Sequence, residues 1–202
     1  SAYTPLMSRW LICPVTIDGK VTYSNEWADA EPADLKIGLN HGNDPPFYDM
    51  RVWAKNDYTN LYLLYRIEYP SAQAQDVDIA GIFYYWPYWD PVTGWEHSDA
   101  SLCTTPAYEG WTGDYYGWDE VRWYTDVEAT PPGGNNVEGR GTYDGTYYWF
   151  EIKKPLNSGD GYDWNFQLGE TYGWRWTAPP GKWEDDLHVL FWDQSEHKDY
   201  TA

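Results

Sequence analysis

Seven rings lie close together in the chain, Trp86, Trp89, Trp95, Trp111, Tyr115, Tyr116 and Trp118, in a stretch rich in Pro, Gly and Asp. Indole and phenol planes in such a setting can stack on the apolar C–H face of a sugar, while neighbouring Asp, Asn and Gln take its hydroxyls. The same rings could instead anchor identical subunits, because Trp and Tyr dominate interface hot spots. A second chemistry lies in acidic turns. Asp160 with Asp163, and Glu184, Asp185 and Asp186, offer the clustered oxygens that calcium prefers, although no spacing matches a helix-flanked calcium loop. Solvated loop acids are the alternative reading of both clusters.

Catalytic signatures are missing. The sequence has no G-x-S-x-G elbow, no H-E-x-x-H and no phosphate loop, which leaves serine hydrolysis, zinc proteolysis and nucleotide chemistry without support. Glycosidases need two acids a few ångströms apart. Glu68 and Glu151 are outward strand positions, but among 32 acidic residues such a pair arises by chance. The expectation is a protein that is not an enzyme. Cys13 and Cys103 have no second ligand nearby, so a zinc knuckle is excluded and one disulfide is expected. By loop entropy that bridge would be worth about 4–5 kcal/mol. Two buried free thiols are the alternative.

Composition narrows the partners. With 32 acidic against 13 basic residues the net charge is −19, which argues against nucleic acid and anionic membranes, since both demand a basic face. Glycan, a cell-surface polymer or cations fit better. A fifth of the chain is aromatic, with 15 Trp and 20 Tyr but 5 Phe, so most rings carry a polar edge that has to be satisfied if buried. No run approaches eighteen apolar residues, and the start at Ser1-Ala2-Tyr3 reads as a mature chain after removal of a signal peptide, hence secreted or on the cell surface.

The elements that must position these groups read as strands. Leu61, Leu63, Tyr65, Ile67 and Tyr69 alternate with a second set that includes Arg66 and Glu68, the period of a half-buried strand. Tyr148, Phe150 and Ile152 face in by the same rule, with Tyr147, Trp149, Glu151 and Lys153 facing out. Further strands are expected near 15–23, 50–55, 78–86, 120–127, 137–143, 163–168, 171–177 and 186–193. Asp144-Gly145 marks a hairpin, and Pro179-Pro180-Gly181 and 157–161 are turns. The pattern implies one all-β domain over 1–202, an antiparallel β-sandwich of jelly-roll or immunoglobulin-like type, with an irregular aromatic insertion at about 87–118.

Several segments resemble one superfamily. Thr16-Ile17-Asp18-Gly19-Lys20 followed by Glu26-Trp27 is similar to the opening of the superfamily that contains family-nine carbohydrate-binding modules, DOMON domains and the haem subunit of ethylbenzene dehydrogenase. Arg51-Val52-Trp53-Ala54-Lys55-Asn56-Asp57 with Leu61-Tyr62-Leu63 resembles its second strand pair. Phe150-Glu151-Ile152-Lys153-Lys154-Pro155-Leu156 with Ser158-Gly159-Asp160, and then Leu190-Phe191-Trp192-Asp193, resemble its later strands. The resemblance implies a sandwich with a ligand site on one end or face. In the sugar-binding branch two tryptophans clamp a terminal sugar; Trp192 matches one, while Ser71–Gln75 offers no ring for the other. The haem branch uses a Met near that strand and a late His or Lys. His188 is the late candidate for b-type haem, whereas Met50 alternates with Val52 and Ala54 as a core residue would. Three readings follow: a glycan-binding module without catalysis, a self-assembling subunit of an extracellular filament or surface layer, and a haem-binding electron-transfer domain.

Overall fold

The computed structural model describes residues 5–70, 79–85, 99–105, 112–118, 123–159, 161–163, 165–171, 175–177, 182–184, 186–193 and 198–201. Its backbone is nearly all β. The front sheet runs β2 (Ala33–Gly38), β3 (Asp44–Asn56), β4 (Asn60–Glu68), β10 (Tyr147–Pro155), β9 (Glu138–Tyr143), every neighbour antiparallel. A short β1 (Ser8–Trp10) lies parallel to the end of β3, Ser8 opposite Ala54. The back sheet runs β8 (Trp123–Thr125), β7 (Thr112–Trp118), β6 (Asp99–Thr104), β5 (Ile79–Tyr85), β13 (Asp186–Asp193), β14 (Lys198–Thr201). One residue pair, Thr201 with Gly38, joins the sheets along their edge. A hairpin of β11 (Arg175–Thr177) and β12 (Lys182–Glu184) stands apart, and the helix α1 (Leu39–Gly42) is a single turn between β2 and β3.

The alternation read from the sequence places the core. Met50, Val52 and Ala54 of β3, Leu63, Tyr65 and Ile67 of β4, and Tyr148, Phe150 and Ile152 of β10 are all buried on the inward face, where they meet Cys103, Val189 and Phe191 of the back sheet. Phe191 sits with its ring centroid 5.0 Å from Tyr69 and 5.4 Å from Tyr148, so aromatic rings bridge the layers. Two glycines let the layers close at the other end. A Cβ on Gly139 would come within 2.7 Å of the Cys103 Cβ, and one on Gly141 within 2.8 Å of the Thr104 carbonyl oxygen. The hairpin at Asp144-Gly145 forms as expected, with Gly145 at φ +100° and the Asp144 carboxylate accepting from the Thr146 and Tyr147 amides. Asp57 pins the β3–β4 turn by the same device, accepting from the Thr59 and Asn60 amides and the Tyr62 hydroxyl. Burial opposes its charge, yet these donors hold its carboxyl down at about 2.

Several expectations change. Residues 15–23 form no strand; they belong to a strap, residues 11–30, laid across the outer face of the front sheet. Residues 163–168 are loop and turn where described. The stretch expected to be irregular holds β6 and β7, two neighbouring strands of the back sheet. The disulfide is not formed, and both cysteines are free thiols. Cys103 points into the core between the sheets, its thiol donating to the Glu151 carbonyl at 3.8 Å, whereas Cys13 lies in the strap with its carbonyl on Lys55. The front sheet stands between them.

Candidate ligand face

The strap divides the outer face of the front sheet into a covered half and an open half. In the covered half Trp27 and Ala30 pack on Tyr62 and Leu64, flanked by Leu11, Val15, Ile17, Trp53 and Trp149. That explains why β4 is buried on both faces at its start and on one face further along. Beneath the strap lies a polar lock. Lys55, fully buried, donates to the Cys13 carbonyl at 2.7 Å and the Glu26 carbonyl at 2.9 Å, and pairs with Asp29 at 2.5 Å. Glu26 accepts from the Thr16 and Thr22 amides. Glu151 accepts from the amides of Asp18 and Gly19 and from the Trp27 indole. Burial, helped by the nearby Glu26 charge, pushes its carboxyl up to about 7 against those three donors. The Ile17-Asp18-Gly19 and Glu26-Trp27 motifs are therefore clamps, with Gly19 at φ +77° turning the chain where a Cβ would meet Arg140 at 3.1 Å.

The open half is a ladder whose rungs follow from strand register. Asp34, Arg51, Arg66, Trp149 and Thr142 lie side by side across β2, β3, β4, β10 and β9. One step along, Lys36 pairs with Asp49 and Glu68 with Tyr147. Arg51 forks onto Asp34, Nε to Oδ1 at 2.5 Å and Nη2 to Oδ2 at 2.9 Å, which holds the Asp34 carboxyl below its ordinary value. Lys36 reaches Asp49 at 2.7 Å. The Arg66 guanidinium sits among three rings, its Cζ 4.8 Å from the centroid of Tyr147, 5.8 Å from Trp149 and 5.9 Å from Trp53. Trp149 is itself fixed, donating from its indole to Asp144 at 2.8 Å. Between Asp34, Arg51, Arg66, Glu68 and Tyr147 opens a hollow of about 330 Å³. A second, of about 460 Å³, continues past Asp49 and Glu68 toward Phe47, Tyr48 and Thr146. The face thus offers partly exposed rings, two carboxylates already oriented by cations, in Glu68 an acid without an ion pair among the described residues, and a caged guanidinium, all on one sheet. Such an array can stack on a pyranose and hydrogen-bond its hydroxyls.

The residues singled out from the sequence fare differently. Trp86, Trp89, Trp95, Trp111, Asp160 and Asp185 lie outside the described residues. Trp118 (opposite Trp123), Trp192 (opposite Ile79) and His188 (opposite Phe83) are placed in strands, as are Glu184 and Asp186, but their side chains are outside the described set. Tyr115 is a correction: it is 5 % exposed, pointing inward, and burial raises its hydroxyl well above the ordinary value, so it presents no ring to a ligand. Tyr116 is half-buried against Tyr124 and Tyr162. Met50 is a core residue, 1 % exposed.

Among the described residues Asp163 is brought together with Asp114 of β7 and Asp126, which opens a 3-10 turn, their oxygens all within 4.8 Å of one another. Asn136 ties two of them, its amide donating to Asp114 at 2.9 Å and its side chain to Asp163 at 3.4 Å. The buried Ser101 stands directly opposite Asp114 in the β6–β7 register. Three convergent carboxylates are a donor set for a hard cation. Asp114 and Asp126 escaped the sequence reading because they lie in different elements, distant in the chain from each other and from Asp163. Trp53, Arg66, Tyr147 and Trp149 escaped as a group; their outward phase was legible, their adjacency was not.

No family model and no curated protein matches the chain. Solved structures similar to it include two carbohydrate-binding proteins. One is a family 9 carbohydrate binding module from Caldicellulosiruptor kristjanssonii in complex with glucose, 13% identical, covering 96% of this chain and 84% of that one at a TM-score of 0.46. The other is a proposed carbohydrate-binding protein from Bacteroides uniformis, 11% identical, covering 96% of this chain and 86% of that one at a TM-score of 0.49. At these values neither argues fold or function for this chain, which rest on its own sheets and side chains.

Proposed function

We propose that this chain is an extracellular, non-catalytic module that binds glycan on the open half of the front sheet. The observation that carries the reading is the grouping of Trp53, Tyr147 and Trp149 around Arg66, with Asp34, Asp49 and Glu68 beside them on a face that the described residues leave open. A sugar laid on Tyr147 and Trp149 would meet oriented hydrogen-bonding groups on both sides. The sheet pays the cost of ordering in advance, because Asp144, Asp34 and strand pairing already fix the contacting groups. Glu151 takes no part in chemistry under this reading, since its oxygens are spent on the strap. Trp192, Tyr116 and the tryptophans between 86 and 118 are a second proposed contribution, separable by substitution. A divalent cation on Asp114, Asp126 and Asp163 belongs to the same proposal as a structural ion remote from the sugar.

A glycan array followed by titration calorimetry on its hits is the test. Binding is expected, and Tyr147→Ala with Trp149→Ala should weaken it at least tenfold while far-ultraviolet circular dichroism stays unchanged. Binding indifferent to both changes would move the site to the other rings; absence of binding to every polysaccharide would remove the module reading altogether.

A further inference from the structure

We infer that the glycan accepted by this face carries a carboxylate, a uronic acid unit, and that Arg66 is the residue that selects it; the inference rests on the glycan reading above. The open face is electrostatically paired almost throughout. Arg51 is committed to Asp34 and Lys36 to Asp49, each within 2.7 Å, and elsewhere Arg9 holds Glu31, Lys55 holds Asp29 and Lys153 holds Glu138. Arg66 departs from this habit. Among the described residues it makes no ion pair within 4 Å and donates no hydrogen bond; its near neighbours are three aromatic rings, and its charge reaches Asp34 only at longer range, helping Arg51 to lower that carboxyl. Carboxylates are not scarce in a chain with 32 acidic and 13 basic residues, and Glu68 stands two positions along the same strand face. The guanidinium, caged by rings, makes no ion pair with Glu68, and both line the hollow bounded by Asp34, Arg51 and Tyr147, where its donors are open to a ligand.

A caged guanidinium of this kind suits a carboxylate better than a hydroxyl. The fork matches two carboxylate oxygens at once, and the rings on its faces reduce the water that would otherwise compete. Charge bookkeeping of the face agrees. With Asp34 and Asp49 offset by Arg51 and Lys36, the remaining charges are Arg66 and Glu68, so one anionic group can be taken at Arg66 while Glu68 repels a second close by and accepts hydroxyls. A sulfate ester would meet the same positive charge, so the two anions are separated by experiment.

The probes are short oligomers of galacturonic, glucuronic and mannuronic acid, the same oligomers with their carboxyls reduced to alcohols, and a sulfated galactan oligomer, titrated at low and at physiological salt. Expected is tighter binding of at least one uronate, by tenfold or more over its reduced form, with the difference shrinking as salt rises. Arg66→Gln should abolish that preference while Arg66→Lys keeps part of it, and Trp149→Ala should weaken native and reduced oligomers together. If the reduced oligomers bind the unaltered protein as well as the uronates do, or if the sulfated oligomer alone is preferred, the inference is wrong and the glycan reading stands. If none of the probes and no neutral glycan binds, the glycan reading itself fails. Should Arg66→Gln not fold, the comparison of native with reduced oligomers on the unaltered protein still decides.

Discussion

Lys55 offers the sharpest test of how the outer face is built. It is a fully buried ammonium with three oxygens around it, at 2.5 Å from Asp29, 2.7 Å from Cys13 and 2.9 Å from Glu26, and the Trp27 ring 5.7 Å away. Lys55→Met keeps the length of the side chain and most of its packing but removes the charge. Asp29 would then retain only the Ile12 and Cys13 amides, and two strap carbonyls would lose their donor. Breaking one partner of a buried pair costs about 3–5 kcal/mol. The Asp29 side chain keeps 11% exposure, so water can reach it and the lower end, about 3 kcal/mol, is expected. Burial works against the Asp29 charge, but Lys55 and the two amides now hold its carboxyl below the ordinary range; without Lys55 it should rise. Urea unfolding followed by tryptophan fluorescence reads the loss. In a double-mutant cycle with Asp29→Asn, the coupling should exceed 1 kcal/mol. A loss below about 1 kcal/mol for Lys55→Met would refute the lock as the fastening of the strap.

Two further outcomes are expected. Because burial raises Glu151 to about 7 in the folded chain, the fold binds a proton there that the unfolded chain releases near its ordinary carboxyl value. This contribution is complete below that value and is lost as pH rises through 7, a change of about 3 kcal/mol over the window; urea midpoints should fall from pH 5 to 8, and Glu151→Gln should flatten the slope. Asp57 acts in the opposite sense at lower pH, its stabilisation being lost as pH falls toward 2. At the convergent carboxylates of Asp114, Asp126 and Asp163, calcium should raise the melting temperature of the chelator-treated protein and leave that of Asp126→Asn unmoved; an equal rise in both would detach the cation from this cluster.

What the sequence disclosed and what it withheld divide along a physical line. Period-two alternation is a local property, and it located β3, β4 and β10 with the correct residues inward because Val52, Tyr65 and Phe150 obey it strand by strand. The strap obeys a different rule. Val15 and Ile17 alternate as strand residues do, yet they meet the sheet from outside, and what fixes them is the buried trio Glu26, Lys55 and Glu151, whose partners lie up to 133 positions away. β6 and β7 were hidden for a related reason: Gly113 and Asp114, poor strand formers, are tolerated there because Asn136 and the neighbouring strands supply their partners.

The ligand face was half legible. That Arg66, Tyr147 and Trp149 point outward follows from phase alone, but their meeting depends on β4 lying against β10 in one register, Arg66 opposite Trp149. Sliding that pairing by one residue would turn Trp149 into the core and Phe150 out of it. The core therefore sets the cage, since the register that buries Tyr65, Phe150 and Ile152 is the one that aligns Arg66 with the rings. Trp53 and Trp149 carry this coupling further, because both pack against the strap's apolar cluster while also flanking the guanidinium. The strap is thus a wall of the proposed site as well as a lid on the sheet, and under the glycan reading the fastening at Lys55 and Glu151 would act on ligand recognition through the two tryptophans without touching the ligand.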